Sequence, residues 1–363
     1  MNEPAHHLEL VDADARLGAF ALLPRELAEL GLSPHTFEQL QRPWLWGEAG
    51  PRLSRAAERC LAPLGLTLPR VVESFTSRDG STKAALAFGT ERVEAVHMPR
   101  AVQSPKVTLC VSSQVGCAMG CSFCATARMG LVRQLSAGEI VAQVLTLMRA
   151  HGPRHPGQLT LVFMGMGEPL HNLNEVARAI EVLCEPRGLG LSPRRITVST
   201  SGLVPQIDAL ARLEPRPLLA LSLNASDDLT RRALMPVARR YPLSELRAAL
   251  LRYPLRARER ITIEYVLLAG VNDSDADAAR LSDFCCGLPH HVNLIPFNAH
   301  EHSPFSAPSE ARIEAFAKAL LARRPAVLSV RRSRGRDVGA ACGQLIELTA
   351  QRRPKRLECD AQR

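Results

Sequence analysis

The sequence predicts an α/β fold: an incomplete (β/α)6 barrel with an N-terminal helical domain and a small antiparallel β extension. Three observations predict it. From Lys106 onward, short apolar runs rich in β-branched residues alternate with stretches of helical periodicity, the pattern of βαβ units around a parallel sheet. About six such units fall short of the eight of a closed barrel. Before them, leucines at helical spacing give way to short alternating runs broken by Asp79-Gly80 and Gly89-Thr90, both turn signals.

Residues 1–65 read as the helical unit. Leu23, Leu27 and Leu30 share a helical spacing, Phe37 and Leu40 another, and 55–61 continues the pattern. Trp44 and Trp46 are the only tryptophans and are expected in the core of this unit, with a nucleic-acid-facing surface as the alternative. Residues 66–105 hold the extension, with runs at 71–75, 83–88 and 93–96 expected to form a three-stranded meander. The barrel core is assigned to 106–335. Its strands are expected at 107–112, 159–164, 196–200, 218–223, 261–267 and 292–296. Helices are expected at 137–149, 173–183, 243–251 and 276–284, then a further helix at 312–321 and a last strand at 327–331. Residues 336–363 form a C-terminal segment with a small-residue loop around Cys342 and a basic tail, which is either disordered or a phosphate contact. In barrels of this kind chemistry gathers at the C-terminal ends of the strands.

The formal charge is +9, supplied largely by arginine, with pairs at Arg194-Arg195, Arg231-Arg232, Arg239-Arg240, Arg323-Arg324, Arg331-Arg332 and Arg352-Arg353. A polyanionic partner, most commonly nucleic acid, is one reading; a solvated basic surface is the other. Aromatic content is 4%, so platforms for stacking single-stranded bases must be few. No signal peptide and no apolar run of membrane-spanning length are visible. The ten cysteines in so long a chain suggest a reducing cytoplasm rather than a disulfide framework.

The densest chemical signal is Cys117-Ala-Met-Gly-Cys121-Ser-Phe-Cys124. Three close thiols after a strand can hold three irons of a cubane cluster and leave the fourth open to a substrate. A structural zinc site would want four ligands, usually as two close pairs; Cys110 could complete a set, though its pairing is wrong. The spacing resembles the signature of the radical S-adenosylmethionine (SAM) superfamily, which implies a [4Fe-4S] cluster whose free iron chelates SAM. Polar residues close successive strands: Gly165-Met-Gly167-Glu168-Pro169, Ser199-Thr-Ser-Gly202, Ser222-Leu223-Asn224 and Pro296-Phe-Asn298. Together they describe a pocket for a zwitterionic cofactor, in which the glycines admit close backbone approach and Glu168 can bind an ammonium group.

The strings Thr108-Leu-Cys110-Val-Ser-Ser-Gln-Val-Gly-Cys117, Met164-Gly-Met-Gly-Glu-Pro-Leu, Ser199-Thr-Ser-Gly and Ala340-Ala-Cys342-Gly-Gln-Leu, in this order, resemble the RlmN/Cfr family of radical SAM RNA methyltransferases. The resemblance covers about 71–345; the first 65 residues match only loosely. It implies methylation of C2 or C8 of an adenosine in ribosomal or transfer RNA, two SAM molecules per turnover and an external electron donor such as flavodoxin. Cys117, Cys121 and Cys124 would hold the cluster. Gly167, Glu168, Ser199, Ser222, Leu223, Asn224 and Asn298 would line the SAM site. Adenine C2 and C8 are too weakly nucleophilic to take a sulfonium methyl directly, so the barrier is divided by covalent catalysis. By the resemblance Cys342, on a flexible loop, carries the methyl group, Glu94 is the proton acceptor, and Cys110 forms a transient disulfide with Cys342 as product leaves. A monomer without membrane contact is expected. Read without the resemblance, Cys110 is a buried small hydrophobe and Glu94 a solvated hairpin residue. Cys60, Cys184, Cys285, Cys286 and Cys359 match no motif.

Two departures stand out. Asn224 replaces the histidine that often follows Ser-Leu in the family, and the link from Glu94 to Cys110 is longer than usual, which bears on the placement of Glu94. Both, with the divergent N-terminal unit, suggest a paralogue whose RNA target differs. Two rival readings are a radical SAM enzyme acting on a peptide or small molecule and a zinc-stabilised RNA-binding protein.

Overall fold

The computed structural model describes residues 17–46, 50–100, 105–151, 156–300, 303–323, 327–332 and 334–345. The basic tail, Arg324 and Cys359 lie outside the described residues. Three short helices open the chain: α1 (Pro24–Glu29), α2 (Pro34–Gln41) and α3 (Arg55–Leu61). α1 and α2 start on prolines, whose fixed φ suits a first helical turn. The Ser54 hydroxyl accepts from the Ala57 N–H at 3.2 Å and caps α3. Phe20, Leu27, Phe37, Leu40 and Leu61 are fully buried and belong to one apolar cluster with the main sheet. Of the two tryptophans only Trp46 packs there; Trp44 is 38% exposed. Trp44 lies within a 3₁₀ turn, Pro43–Leu45, and Trp46 follows it directly; residues two apart in such a turn face different sides.

The meander consists of β1 (Arg70–Thr76), β2 (Thr82–Phe88) and β3 (Glu91–Pro99), the last longer than its apolar run suggests. Next come β4 (Val107–Cys110), β5 (Gln114–Gly116), β6 (Leu131–Gln134) and α4 (Ala137–His151). Then β7 (Leu159–Phe163), α5 (Leu173–Cys184), β8 (Ile196–Thr200), α6 (Val204–Leu210) and β9 (Leu218–Ser222) follow. The core closes with α7 (Asp228–Leu234), α8 (Leu243–Leu251), β10 (Ile261–Leu267), α9 (Asp275–Phe284), β11 (His290–Pro296), α10 (Glu310–Arg323) and β12 (Val327–Val330). The sequence does not predict the β5–β6 hairpin, α6 or α7, because each is too short to show a period.

Ten strands make one sheet, in the order β1-β2-β3-β4-β7-β8-β9-β10-β11-β12. The meander is the antiparallel edge of the barrel sheet: β3 pairs β4 antiparallel, and from β4 onward every neighbouring pair is parallel. β1 and β12 do not pair, so the barrel is incomplete. α4 is buried along nearly its whole length, which explains an apolar pattern on every side. Among the described residues no helix is long and apolar enough to cross a membrane.

The N-terminal helices dock on the turn after α5. Arg42 donates to the Gly188 carbonyl at 3.3 Å, and Arg178 of α5 donates to the Ala21 carbonyl at 2.9 Å. A Cβ at Gly188 would come within 2.8 Å of the Phe37 ring and 2.9 Å of Gln41 Cβ. Gly188→Val should therefore weaken this docking by roughly 1–3 kcal/mol of overpacking. Limited proteolysis should then release the first three helices sooner than in the parent protein.

Candidate active site

Past the end of β4 the chain runs directly under the turn that follows β7. The Gly165 N–H donates to the Val111 carbonyl at 3.1 Å, and Ser113 N–H donates to the Met166 carbonyl at 2.9 Å. A Cβ at Gly165 would lie 2.6 Å from the Val111 oxygen, and one at Gly167, where φ is +100°, would overlap Gln114. The two glycines thus let two backbones touch. The same contact fixes the cysteine loop, because β5 and β6 form its stem and Cys117 N–H donates to Gly130 at 2.9 Å. The loop is tied to α7 by Ser122 N–H on the Leu234 carbonyl at 3.0 Å, and to the Cys342 loop by Ala125 N–H on the Gly343 carbonyl at 2.8 Å.

Cys117, Cys121 and Cys124 line one pocket with Gly167, Glu168 and Ser199, and Ser222, Asn224 and Asn298 complete its far wall. Burial pushes the Cys117 thiol up to about 12 and Cys121 well above the ordinary range. Thiols so placed ionise only when a bound cation compensates them. Among the described residues no three His, Cys, Asp or Glu side chains converge tightly enough for a single metal ion. Cys110, the possible fourth zinc ligand, is absent from this pocket's lining. Three thiols without a fourth protein ligand leave a structural zinc site incomplete, whereas a cubane cluster can be held by three thiolates with one iron open.

Glu168 is held as a brace as well as a wall. Its Oε2 accepts from the Ser201 N–H at 2.7 Å, Oε1 accepts from Leu170 N–H at 3.1 Å, and its own N–H donates to Gln114 at 2.8 Å. Burial raises its carboxyl above the ordinary range, against the pull of these bonds. Ser199 and Ser222 hydroxyls lie 3.2 Å apart. Asn224 adopts a left-handed φ of 57°, a conformation asparagine tolerates, and its Oδ1 accepts from Val266 N–H at 3.0 Å. Leu223 is fully buried and its side chain does not line the pocket, so only its backbone could face a cofactor. Asn298 donates to the Cys342 carbonyl at 3.4 Å.

Cys110 and Cys342 line a second, smaller cavity with Val96, Met98, Met164 and Arg331, and Cys342 also lines the first pocket. All described cysteines are free, so a disulfide is not a feature of this structure. Burial raises Cys110 to about 12 and raises Cys342, while the Arg331 guanidinium pulls both down. Arg331 also approaches Glu264 at 3.4 Å. The Cys342 loop is more firmly tied than its small residues suggest. Gly335 N–H donates to Asp79 at 3.0 Å, Ser77 donates to Asp337 at 2.6 Å, and Gln344 donates to the Ala299 carbonyl at 2.8 Å.

Glu94 is not a solvated hairpin residue. It is 1% exposed, and its Oε1 lies 3.0 Å from Lys83 Nζ, which is equally buried. It stands two residues before Val96 on β3, and Val96 pairs with Cys110, so Glu94 and Cys110 share a sheet face. Glu94 does not itself line the thiol cavity. The longer link that follows leaves the β3–β4 pairing from Val96 to Pro99 intact.

Sequence reasoning missed Arg231, Arg331 and Glu264. Arg231 was counted in a surface pair, yet it is fully buried, donating from Nε to the Leu223 carbonyl at 3.1 Å and from Nη2 to Ser201 at 2.6 Å. Glu264 offers no motif; alternation along β10 was its only sign of pointing into the barrel.

The chain matches the model of the Radical SAM superfamily over residues 111–281. It is 50% identical over 271 residues to the "Dual-specificity RNA methyltransferase RlmN" of Syntrophotalea carbinolica, covering 74% of this chain and 70% of that one. It is 46% identical over 341 residues to the protein of that name from Anaeromyxobacter sp., covering 89% and 88%. A solved radical SAM methyltransferase from Sphaerobacter thermophilus superposes with a TM-score of 0.81 at 44% identity, covering 90% of this chain and 97% of that one.

Two outcomes are expected. Glu168→Gln places an amide where two N–H donors converge, so SAM affinity should fall at least about tenfold by equilibrium dialysis (roughly one charge-assisted hydrogen bond). Cys110 should resist alkylation at pH 8, and because burial pushes its thiol up to about 12, labelling should rise about tenfold per pH unit above pH 8 while the fold persists. A rate that is flat with pH would show Cys110 in a different environment.

Proposed function

This chain belongs to the RlmN family of radical SAM RNA methyltransferases, and on that premise we propose that it methylates C2 or C8 of an adenosine in ribosomal or transfer RNA through S-methylated Cys342. What supports this reading most directly is that Cys110 and Cys342, from opposite ends of the barrel core, line one cavity, and that Cys342 also faces the pocket of the cysteine triplet.

Cys117, Cys121 and Cys124 would hold a [4Fe-4S] cluster, and Gly167, Glu168, Ser199, Ser222, Asn224, Asn298 and the Leu223 backbone would line the SAM site. When bound, the reduced cluster and SAM supply a methyl donor and a hydrogen-abstracting radical. The residues of this chain do the rest. The Cys342 thiolate, favoured by Arg331, accepts a methyl group. After the S-methyl group has given up one hydrogen atom, its carbon bonds to the adenine ring, joining protein and RNA, and the adduct passes one electron back to the cluster's redox couple. Glu94, 3.0 Å from Lys83, takes the ring proton. The Cys110 thiolate attacks the Cys342 sulfur, the carbon–sulfur bond breaks, the expelled carbon takes up a proton and leaves with the RNA as a methyl group, and an external dithiol reduces the resulting disulfide before the next turnover. Residues 1–65 would serve as an RNA-binding accessory unit and 66–105 as an extension bearing Glu94. Residues 106–335 would be the catalytic core and 336–363 the carrier segment. A monomer in the cytoplasm, served by a donor such as flavodoxin, completes the proposal.

In Cys110→Ala the covalent protein–RNA species should accumulate under anaerobic turnover with SAM, visible as a band shift on denaturing gels. Normal turnover by this variant, with no adduct, would contradict the role given to Cys110. Mass spectrometry should also find a gain of about 14 mass units, one CH₂, on the peptide bearing Cys342.

A further inference from the structure

One open feature of the barrel interior takes no part in the chemistry above. It is a cavity of about 570 Å³ at the N-terminal ends of the parallel strands. Thr108, Thr160, Thr197 and Thr262, each the second residue of its strand, line it. The cofactor pocket lies at the other end, on residues that close β7, β8, β9 and β11.

Six cationic side chains surround this cavity: Arg100, Lys106, Arg195, Arg331, Arg332 and Arg334. They come from the β3–β4 link, the turn before β8 and the segment after β12, so only the fold gathers them. Glu264 is the single carboxylate on the described lining, and Arg331 already approaches it. Arg332 pairs with Glu310 at 2.8 Å, and Arg334 is spent on backbone carbonyls of the β3–β4 link, donating to Arg100 at 2.6 Å. Arg100 and Arg195 make no ion pair among the described residues. The cavity adjoins the chemistry: Met98, Met164, Arg331 and Arg334 line both it and the thiol cavity, and Met164 also lines the cofactor pocket, so these four side chains form the partition between them.

We infer that the RNA enters the barrel from this N-terminal end, its phosphates held by the cationic rim and its target base inserted past Met98 and Met164 toward Cys110 and Cys342. The proposal rests on the RNA methylation reading and adds the route. A rim of arginines around threonine hydroxyls recognises the sugar–phosphate backbone and not sequence. A cavity of this size accepts one extruded nucleoside. Two methionine side chains, Met98 and Met164, stand in the partition, and unbranched thioethers can swing aside and give an adaptable apolar contact for an aromatic ring. Entry from opposite ends lets cofactor and RNA occupy the barrel together and meet at the thiols.

The test uses the reconstituted full chain and transfer RNA transcripts containing 4-thiouridine. Photocrosslinks should map to peptides bearing Arg100, Lys106, Arg195 and Arg332. Crosslinks confined to the 129–133 flank of the cysteine loop would overturn the route. Independently, Arg100→Glu with Arg195→Glu should weaken transcript binding on the order of ten- to a hundredfold. It should also flatten the dependence of log K on log salt by about 1.4, two single-strand phosphate contacts. The corresponding double lysine variant should restore most of the binding, and thermal melting shows whether each variant is folded. Binding and salt slope unchanged in the double glutamate variant would also refute the route. If the parent protein crosslinks at the rim but methylates no RNA, the reaction assignment fails while the route stands.

Discussion

The active end of this barrel depends on one close crossing of two backbones. The segment that leaves β4 and the turn that leaves β7 touch along Val111–Gln114 and Gly165–Gly167, and a Cβ at Gly165 or Gly167 would clash with the crossing chain. Ser112 fastens the crossing, with its hydroxyl donating to the Glu94 carbonyl at 2.6 Å and accepting from the Met166 N–H at 2.8 Å. Gln143 of α4 bonds both polar groups of the Ser112 backbone. One knot therefore positions the strand that bears Cys110, the stem of the cysteine loop, the glutamate of the cofactor pocket and the strand that bears Glu94. Because buried polar networks are costly when only partly satisfied, a change at any member is felt at all four places.

Charge is rationed inside the same volume. Lys83 meets Glu94 with both fully buried, Arg331 approaches Glu264, and Arg231 is satisfied chiefly by backbone carbonyls. A buried ion pair contributes little to stability in itself, since desolvation consumes most of its attraction. What it can supply is position: each of these charges is held against an opposite partner or a backbone carbonyl, and the Arg331 guanidinium pulls both thiols of the small cavity down. The thiols otherwise rest in their neutral form, which suits groups that must not react before their partners arrive.

The two ends of the sheet divide the labour. Parallel strands bring every C-terminal end to one side, where polar turns and glycines face the pocket of the cysteine triplet. They bring every N-terminal end to the other, where threonines and arginines line the second cavity. The antiparallel extension attaches at β4 and so brings Glu94 alongside the strand of Cys110 instead of leaving it at the surface.

By itself the sequence determined the alternation of strands and helices, the antiparallel extension, the cysteine loop and the glycine turns. These follow from local periodicity and from residue types whose chemistry is legible without neighbours. Only the tertiary structure decided that Glu94 is buried against Lys83, that Arg231 is interior, that the Cys342 loop is tied to the meander, and that arginines from three distant segments share one rim. Periodicity tells which face of a strand is inward, but not what stands opposite. That depends on the register between strands and on the order in which they enter the sheet, and neither is written in any short stretch of residues.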